Sequence, residues 1–180
     1  MADSSAIAGE TKDWSIVTIE GCIECGYSPH AGPTTGSRLR RTARSWHEVM
    51  GHPRVAQRPE PHVWSPLEYA AHTRDMCRLA CERVALMLTR TAPTFSNWDQ
   101  DEEAVINDYA HADPLIISAD LGRQLERAAR TFDDVPANSW SRSGFRGDGK
   151  AFTVETFASF VLHEIEHHLQ DAEEGLRKHR

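Results

Sequence analysis

The run His163-Glu164-Ile165-Glu166-His167-His168 decides how this chain is read. It lies in a segment whose apolar residues Phe157, Ala158, Val161, Leu162, Ile165 and Leu169 recur at helical spacing. Two imidazoles four residues apart project from one side of a helix, so one metal ion can reach both His163 and His167. His168 stands about 100° further round and is not expected to share that ion. Zinc-type sites take three or four N, O or S ligands. What matters next is which other part of the chain supplies the rest.

In letters the run matches H-E-x-x-H, the zinc helix of many metalloproteases, with Glu164 as general base. The longer protease pattern does not continue: Gln170 stands where its Gly would be and Glu173 where its last His would be. The third ligand is therefore sought upstream, on another helix. Ser65-Pro66-Leu67-Glu68 reads as a capping box with Pro at the first helical position. The helix it opens runs to about residue 90, with Tyr69, His72, Met76, Leu79, Arg83, Leu86 and Met87 on one stripe. His72 is the histidine on the apolar stripe of a second long helix, which makes it the expected third ligand. A lone His on such a stripe is more often a hydrogen-bonded core residue, and an i, i+4 pair is often surface decoration. Only together do the three point to a metal.

Two more helices follow from the same patterning. One covers 34 to 50, with Leu39, Ala43, Trp46, Val49 and Met50 inward, stopped by Gly51 and Pro53. Asp113-Pro114 opens another that reaches about residue 134. A short acidic helix is expected over 101–111, and loops over 91–100 and 135–152. The last helix spans 154 to about 177. Four long amphipathic segments give an all-α, antiparallel four-helix bundle with an additional short helix and loops, assigned to residues 33–180. Residues 1–32 form an N-terminal extension. Its first 13 residues are small and polar and are expected to be disordered. Trp14 to Ile19 reads as a short extended segment followed by a turn.

That turn carries Cys22-Ile23-Glu24-Cys25-Gly26. One C-x-x-C without a second pair reads first as two reduced cysteines. A second metal site, with His30 or His47 as further ligands, or a redox pair, is the alternative. Cys77 and Cys81, at helical i, i+4, read as packing residues.

With 39% hydrophobic and 26% charged residues, the composition is that of a soluble globular chain. A net charge of −7 argues against nucleic acid as a partner. Arg38, Arg40, Arg41 and Arg44 read as a solvated helix face. No run approaches the ~18 apolar residues of a membrane span, and no basic-then-apolar leader is visible. A cytoplasmic location with no membrane partner is expected, and outward apolar positions would permit a homodimer.

The ending His163-x-x-x-His167-x-x-Gln170 resembles the last-helix motif of the DinB/YfiT-like family, and Trp64-Ser65-Pro66-Leu67-Glu68-Tyr69-Ala70-Ala71-His72 resembles its second-helix motif. Asn97-Trp98-Asp99-Gln100-Asp101 and Phe152-Thr153-Val154 look like its actinobacterial members, in which the N-terminal segment often reads C-x-x-C-G. The likeness covers roughly residues 35 to 175. It implies a four-helix bundle with a divalent metal, zinc first and nickel or iron next, held by His72, His163 and His167. It also implies a thiol-dependent transferase or isomerase of the maleylpyruvate isomerase type, using a low-molecular-weight thiol such as mycothiol on a small electrophilic substrate. The alternatives are a non-catalytic bundle binding a metal or small ligand, and an H-E-x-x-H metallohydrolase. Trp64, Trp98, Arg146 and Gln170 are the candidate substrate contacts, with Arg142 a second candidate for an anionic group. Glu164, in the bundle reading, is a surface residue or a partner for an imidazole N–H.

Overall fold

Local signals set the helix starts, and the computed structural model, which describes residues 14–30 and 32–178, places six α-helices. They are α1 (Val17–Glu20), α2 (Thr35–Met50), α3 (Pro66–Thr89), α4 (Gln100–Ile106), α5 (Pro114–Asp133) and α6 (Val154–Lys178). At α3 the capping box forms as expected. The Ser65 hydroxyl accepts from the Glu68 N–H at 3.3 Å, and the Glu68 carboxylate accepts from the Ser65 N–H at 2.8 Å. The Arg58 guanidinium also binds that carboxylate and ties the preceding loop to the helix start. Asp113 caps α5 by accepting from the N–H groups of Leu115 and Ile116, and Asp99 caps α4 in the same way.

The four long helices form the bundle. Both α2 and α3 pack on α5 and on α6, so α2 and α3, consecutive in the chain, stand on one diagonal. Leu39, Trp46, Leu67, Val84, Leu121, Leu125, Phe132, Phe157 and Leu162 fill the centre. Gly36 permits the close approach of α2 to α5. A Cβ there would meet the Ala129 carbonyl at 2.7 Å and would also collide with the Asp133 carboxylate. Of the arginine face, Arg38 pairs with Glu166 and Arg40 with Glu126 and Asp133, while Arg41 and Arg44 are exposed.

Two expectations are corrected. Trp14–Ile16 is a 3-10 turn that runs into α1, not an extended segment. Its β-branched residues do not alternate between two faces of a sheet: Val17 is buried against the bundle while Ile19 points outward. The loops at 91–100 and 135–152 contain a three-stranded sheet, β1 (Thr94–Phe95), β2 (Ser143–Arg146) and β3 (Ala151–Thr153). β1 runs parallel to β2 with Thr94 opposite Phe145, and β2 runs antiparallel to β3 with Gly144 opposite Phe152. Gly144 lets the sheet lie on α3, because a Cβ would come within 2.8 Å of Met87 Cγ. The expectation of disorder over residues 1–13 concerns residues outside those described. Among the described residues, no helix is long and apolar enough to cross a membrane.

Candidate metal centre

Burial of Phe157, Val161, Leu162 and Ile165 fixes how α6 is rotated in the bundle. Its polar residues at 163, 164, 167 and 168 then leave on two different sides. Glu164 and His168 turn to α3. There His168 lies with its ring centroid 4.8 Å from that of His72. One ligand atom each from His72, Glu164 and His168 falls within 4.8 Å of the others.

His72 comes from the second turn of α3 and is wholly buried. Both of its ring nitrogens lack a hydrogen-bond partner. Such a group costs on the order of 1–3 kcal/mol when left unsatisfied, so native proteins seldom leave one without a purpose. The Nδ1 of His168 lies 3.2 Å from the Asp171 carboxylate. A carboxylate only accepts, so Nδ1 carries a proton toward Asp171 and Nε2 is the ring nitrogen left toward Glu164. That Nε2 is also buried without a hydrogen bond, 3.8 Å from Glu164 Oε2. Burial first, then the neighbouring His168, hold the His72 pKa well below 6.5. Its imidazole is therefore neutral and offers a lone pair at physiological pH. Two imidazoles and one carboxylate oxygen suit a divalent ion and leave coordination positions free.

Aromatic rings wall this centre. Trp98 stacks on His72 at 5.1 Å and 17°, Trp64 lies 5.4 Å from it, and Tyr69 stacks on His168 at 5.2 Å and 28°. Trp98 is positioned from both sides of its loop. The Arg83 guanidinium donates to the Ser96 carbonyl at 2.8 Å, β1 pairs with β2 just before it, and Asp99 caps α4 just after. Tyr109, which packs near Trp64, donates to the Asp75 carboxylate at 2.6 Å.

The expected triad is thereby divided. His72 meets Glu164 and His168, whereas His163 and His167 face the N-terminal segment, with Trp14 5.3 and 5.0 Å from their rings. The reason is the same 100° per residue that separates His168 from His167: it carries His168 round to α3. His168, which the sequence reading sets aside, and Glu164, which it reads as a base or as a partner for an imidazole, are the residues brought to His72. The signal for them is a second i, i+4 pair, Glu164 and His168, one residue beyond His163 and His167. Of the expected substrate contacts, Trp64 and Trp98 are at the centre. Arg146 instead binds Asp148 in the β2–β3 turn, and Gln170 donates to the Glu24 carbonyl at 3.2 Å, on the N-terminal side. Arg142 is spent on the Met87 and Arg90 carbonyls at the end of α3.

Comparison with known proteins agrees with this architecture. The family model described as the DinB superfamily matches residues 36–172. Among solved structures, YfiT from Bacillus subtilis, described as a probable metal-dependent hydrolase with an unusual four-helix bundle topology, superimposes with a TM-score of 0.74. It is 18% identical, and the match covers 82% of this chain and 87% of that one. No curated protein matches the chain in sequence.

Proposed function

The chain belongs to the DinB superfamily, and from that premise we propose that it is a metal-dependent enzyme acting on a small electrophile at His72, Glu164 and His168. The observation that carries the reading is the buried His72, both of whose nitrogens lack partners, set beside a carboxylate and a second imidazole whose Nε2 is buried without a hydrogen bond. When bound there, a divalent ion supplies Lewis acidity, lowering the pKa of a thiol or water that shares the site. The chain's own residues do the rest. Asp171 fixes the His168 tautomer. Trp98 and Tyr69 cover the two imidazole faces and exclude water from them. Glu164 provides the anionic oxygen.

The nucleophile proposed is a low-molecular-weight thiol of the mycothiol type, giving transfer or isomerisation. A second reading replaces the thiol by water, and it is favoured by the description of YfiT as a probable hydrolase. Glu164 is the pivot of the distinction from an H-E-x-x-H hydrolase. Here it faces His72 and His168, whereas in that class it would serve as base beside an ion held by His163 and His167.

The test is metal content and turnover of tag-free protein beside His72→Ala and His168→Ala variants, with and without thiol. Each variant is expected to lose one equivalent of divalent metal and at least ~100-fold in rate, the scale on which removing an essential catalytic group acts. Thiol-dependent turnover supports transfer or isomerisation, and turnover without thiol supports hydrolysis. Undiminished metal in both variants would overturn the site. Metal bound with no turnover in either assay would leave a non-catalytic binding bundle.

A further inference from the structure

The other side of α6 holds a second constellation. Cys22 and Cys25 sit in the turn after α1, and His163 and His167 face them from α6. One ligand atom from each of the four falls within 4.8 Å of all the others. We propose that Cys22, Cys25, His163 and His167 form a closed tetrahedral zinc site that clamps the N-terminal segment onto the bundle.

Four observations carry this. The order C-x2-C followed by H-x3-H is a spacing used by Cys2His2 zinc sites. The Cys22 Sγ lies 3.8 Å from His167 Nδ1, within hydrogen-bonding reach of sulfur. Two ligands of one tetrahedral zinc, at about 2.3 Å for sulfur and 2.0–2.1 Å for nitrogen, stand roughly 3.6 Å apart. The His163 ring is buried, and its Nε2 has no hydrogen-bond partner although the ring faces the cluster. Its Nδ1 is 3.2 Å from the Glu164 carboxylate, so the proton is held on Nδ1 and the free lone pair is on Nε2. That carboxylate–imidazole pairing is the usual support of a zinc-bound histidine. His167 is arranged the opposite way round: its Nε2 faces Asp171 and Glu24 at 3.6 and 4.0 Å, leaving Nδ1 toward Cys22.

The backbone of the turn is built for such a knuckle. The Cys22 N–H donates to the Tyr27 carbonyl at 2.9 Å, closing a loop around the C-x-x-C. Gly21 and Gly26 have φ of +76° and +73° at its two ends, values that favour glycine. Trp14 covers both imidazoles, and Tyr27 packs its edge on His163 at 5.3 Å. Two thiolates and two imidazoles fill four positions, so this site leaves none for substrate and is structural. It lies outside the family match, which begins at residue 36, for its two cysteine ligands.

The test is cobalt substitution of the reduced, tag-free full chain, beside Cys22→Ser/Cys25→Ser and His72→Ala variants. Thiolate-to-cobalt charge transfer and intense tetrahedral d–d bands are expected in the wild type, lost in the double serine variant and retained in His72→Ala. Should the serine variant not fold, alkylation of the native wild type gives the same answer. Zinc should shield Cys22 and Cys25 from a mass-tagged alkylator, and a chelator should expose them, with buried Cys77 and Cys81 silent in both states. Absence of the charge-transfer band, its survival in the double serine variant, alkylation at equal rates with and without zinc, or a Cys22–Cys25 disulfide with no bound metal would each overturn the proposal. Cobalt held by His72, Glu164 and His168 gives no thiolate band, so failure of that site and failure of this one read out separately.

Discussion

Residues 163 and 164, and again 167 and 168, are neighbours in the chain yet serve opposite sides of α6. Toward α3 the ligand set is two imidazoles and one carboxylate, walled by Trp64, Tyr69 and Trp98. Toward the N-terminal segment it is two thiols and two imidazoles, covered by Trp14 and Tyr27. Three ligands leave room for chemistry, and four N/S ligands close the shell. Two carboxylates link the sides. Glu164 contacts His163 at 3.2 Å and His168 at 3.8 Å, and Asp171 contacts His168 at 3.2 Å and His167 at 3.6 Å. A single helical step of 100° thus separates the site proposed for turnover from the one proposed to hold the fold.

The most severe way to break this contrast is to remove the ions. A metal present at ~1,000-fold excess over its Kd stabilises the folded state by about 4 kcal/mol. For a chain of this size that corresponds to a Tm change of roughly 8–16 °C. The drop on chelation is expected to persist in His72→Ala through the cysteine site, and to shrink in Cys22→Ser/Cys25→Ser to what the ion at His72, Glu164 and His168 contributes, as followed by calorimetry. A drop that instead vanishes with His72→Ala would reverse the assignment of roles.

Glu164→Gln sharpens the comparison, because the residue is a ligand on one side and an imidazole partner on the other. Losing a supporting carboxylate typically costs ~10–100-fold in metal affinity. The smaller figure is expected at the cysteine site. At least the larger is expected beside His72, where Glu164 is the only anionic ligand of the three. Chelator competition, run separately in His72→Ala and Cys22→Ser backgrounds, measures each side alone. Equal losses on both sides would contradict the ligand role.

The bundle itself was legible because its signals are local. The Ser65–Glu68 box, Pro66, Asp113-Pro114 and the aliphatic stripe of α6 each settle an element within a few residues. His72 was legible as an inward residue for the same reason. The division of the histidines was not, since 163, 164, 167 and 168 all border the aliphatic stripe. Only the tertiary burial of Phe157, Val161 and Ile165 decides which pair faces α3. The sheet was obscured by its size, β1 being two residues and β3 three. Still, Phe145 and Phe152 on either side of Asp148-Gly149, with Gly149 at φ +88°, carried a hairpin signal. Gln170 lies on the His167 side of α6, as its spacing implies, but its partner there, the Glu24 carbonyl, sits in a turn 146 residues away that no local pattern connects to it.

Smaller effects come from backbone changes. Gly21→Ala would hold a left-handed φ with a Cβ 2.5 Å from the Tyr27 carbonyl oxygen, against the very bond that closes the cysteine turn. A cost of about 1–3 kcal/mol is expected, together with weaker zinc binding and an unchanged metal at His72. Gly122→Ala in α5, with nothing within 4 Å of the added carbon, is the opposite control. It is expected to stabilise by about 0.5–1 kcal/mol. Urea unfolding of the two variants gives opposite signs if the N-terminal turn is as constrained as the geometry makes it.

The smallest expected effect isolates the N-terminal side without any metal. His30 bridges Tyr27 Oη at 2.9 Å and Thr35 Oγ1 at 2.8 Å, joining the cysteine turn to the start of α2. Burial first, and then the Arg38 guanidinium, hold its pKa at about 4 against an ordinary 6.5, with Glu155 opposing. The folded state therefore releases this proton while the unfolded chain, below pH 6.5, binds it. The resulting stability is fully present above pH 6.5 and is lost as pH falls through that value toward about 4. In chelated protein the wild type should lose stability across this window more steeply than His30→Gln, whose side chain does not titrate. Other buried histidines, His72 among them, contribute to both curves and cancel in the difference. Parallel curves for the two proteins would mean that the turn is not held to α2 by a neutral imidazole, leaving the four ligands on α6's far side as its main attachment.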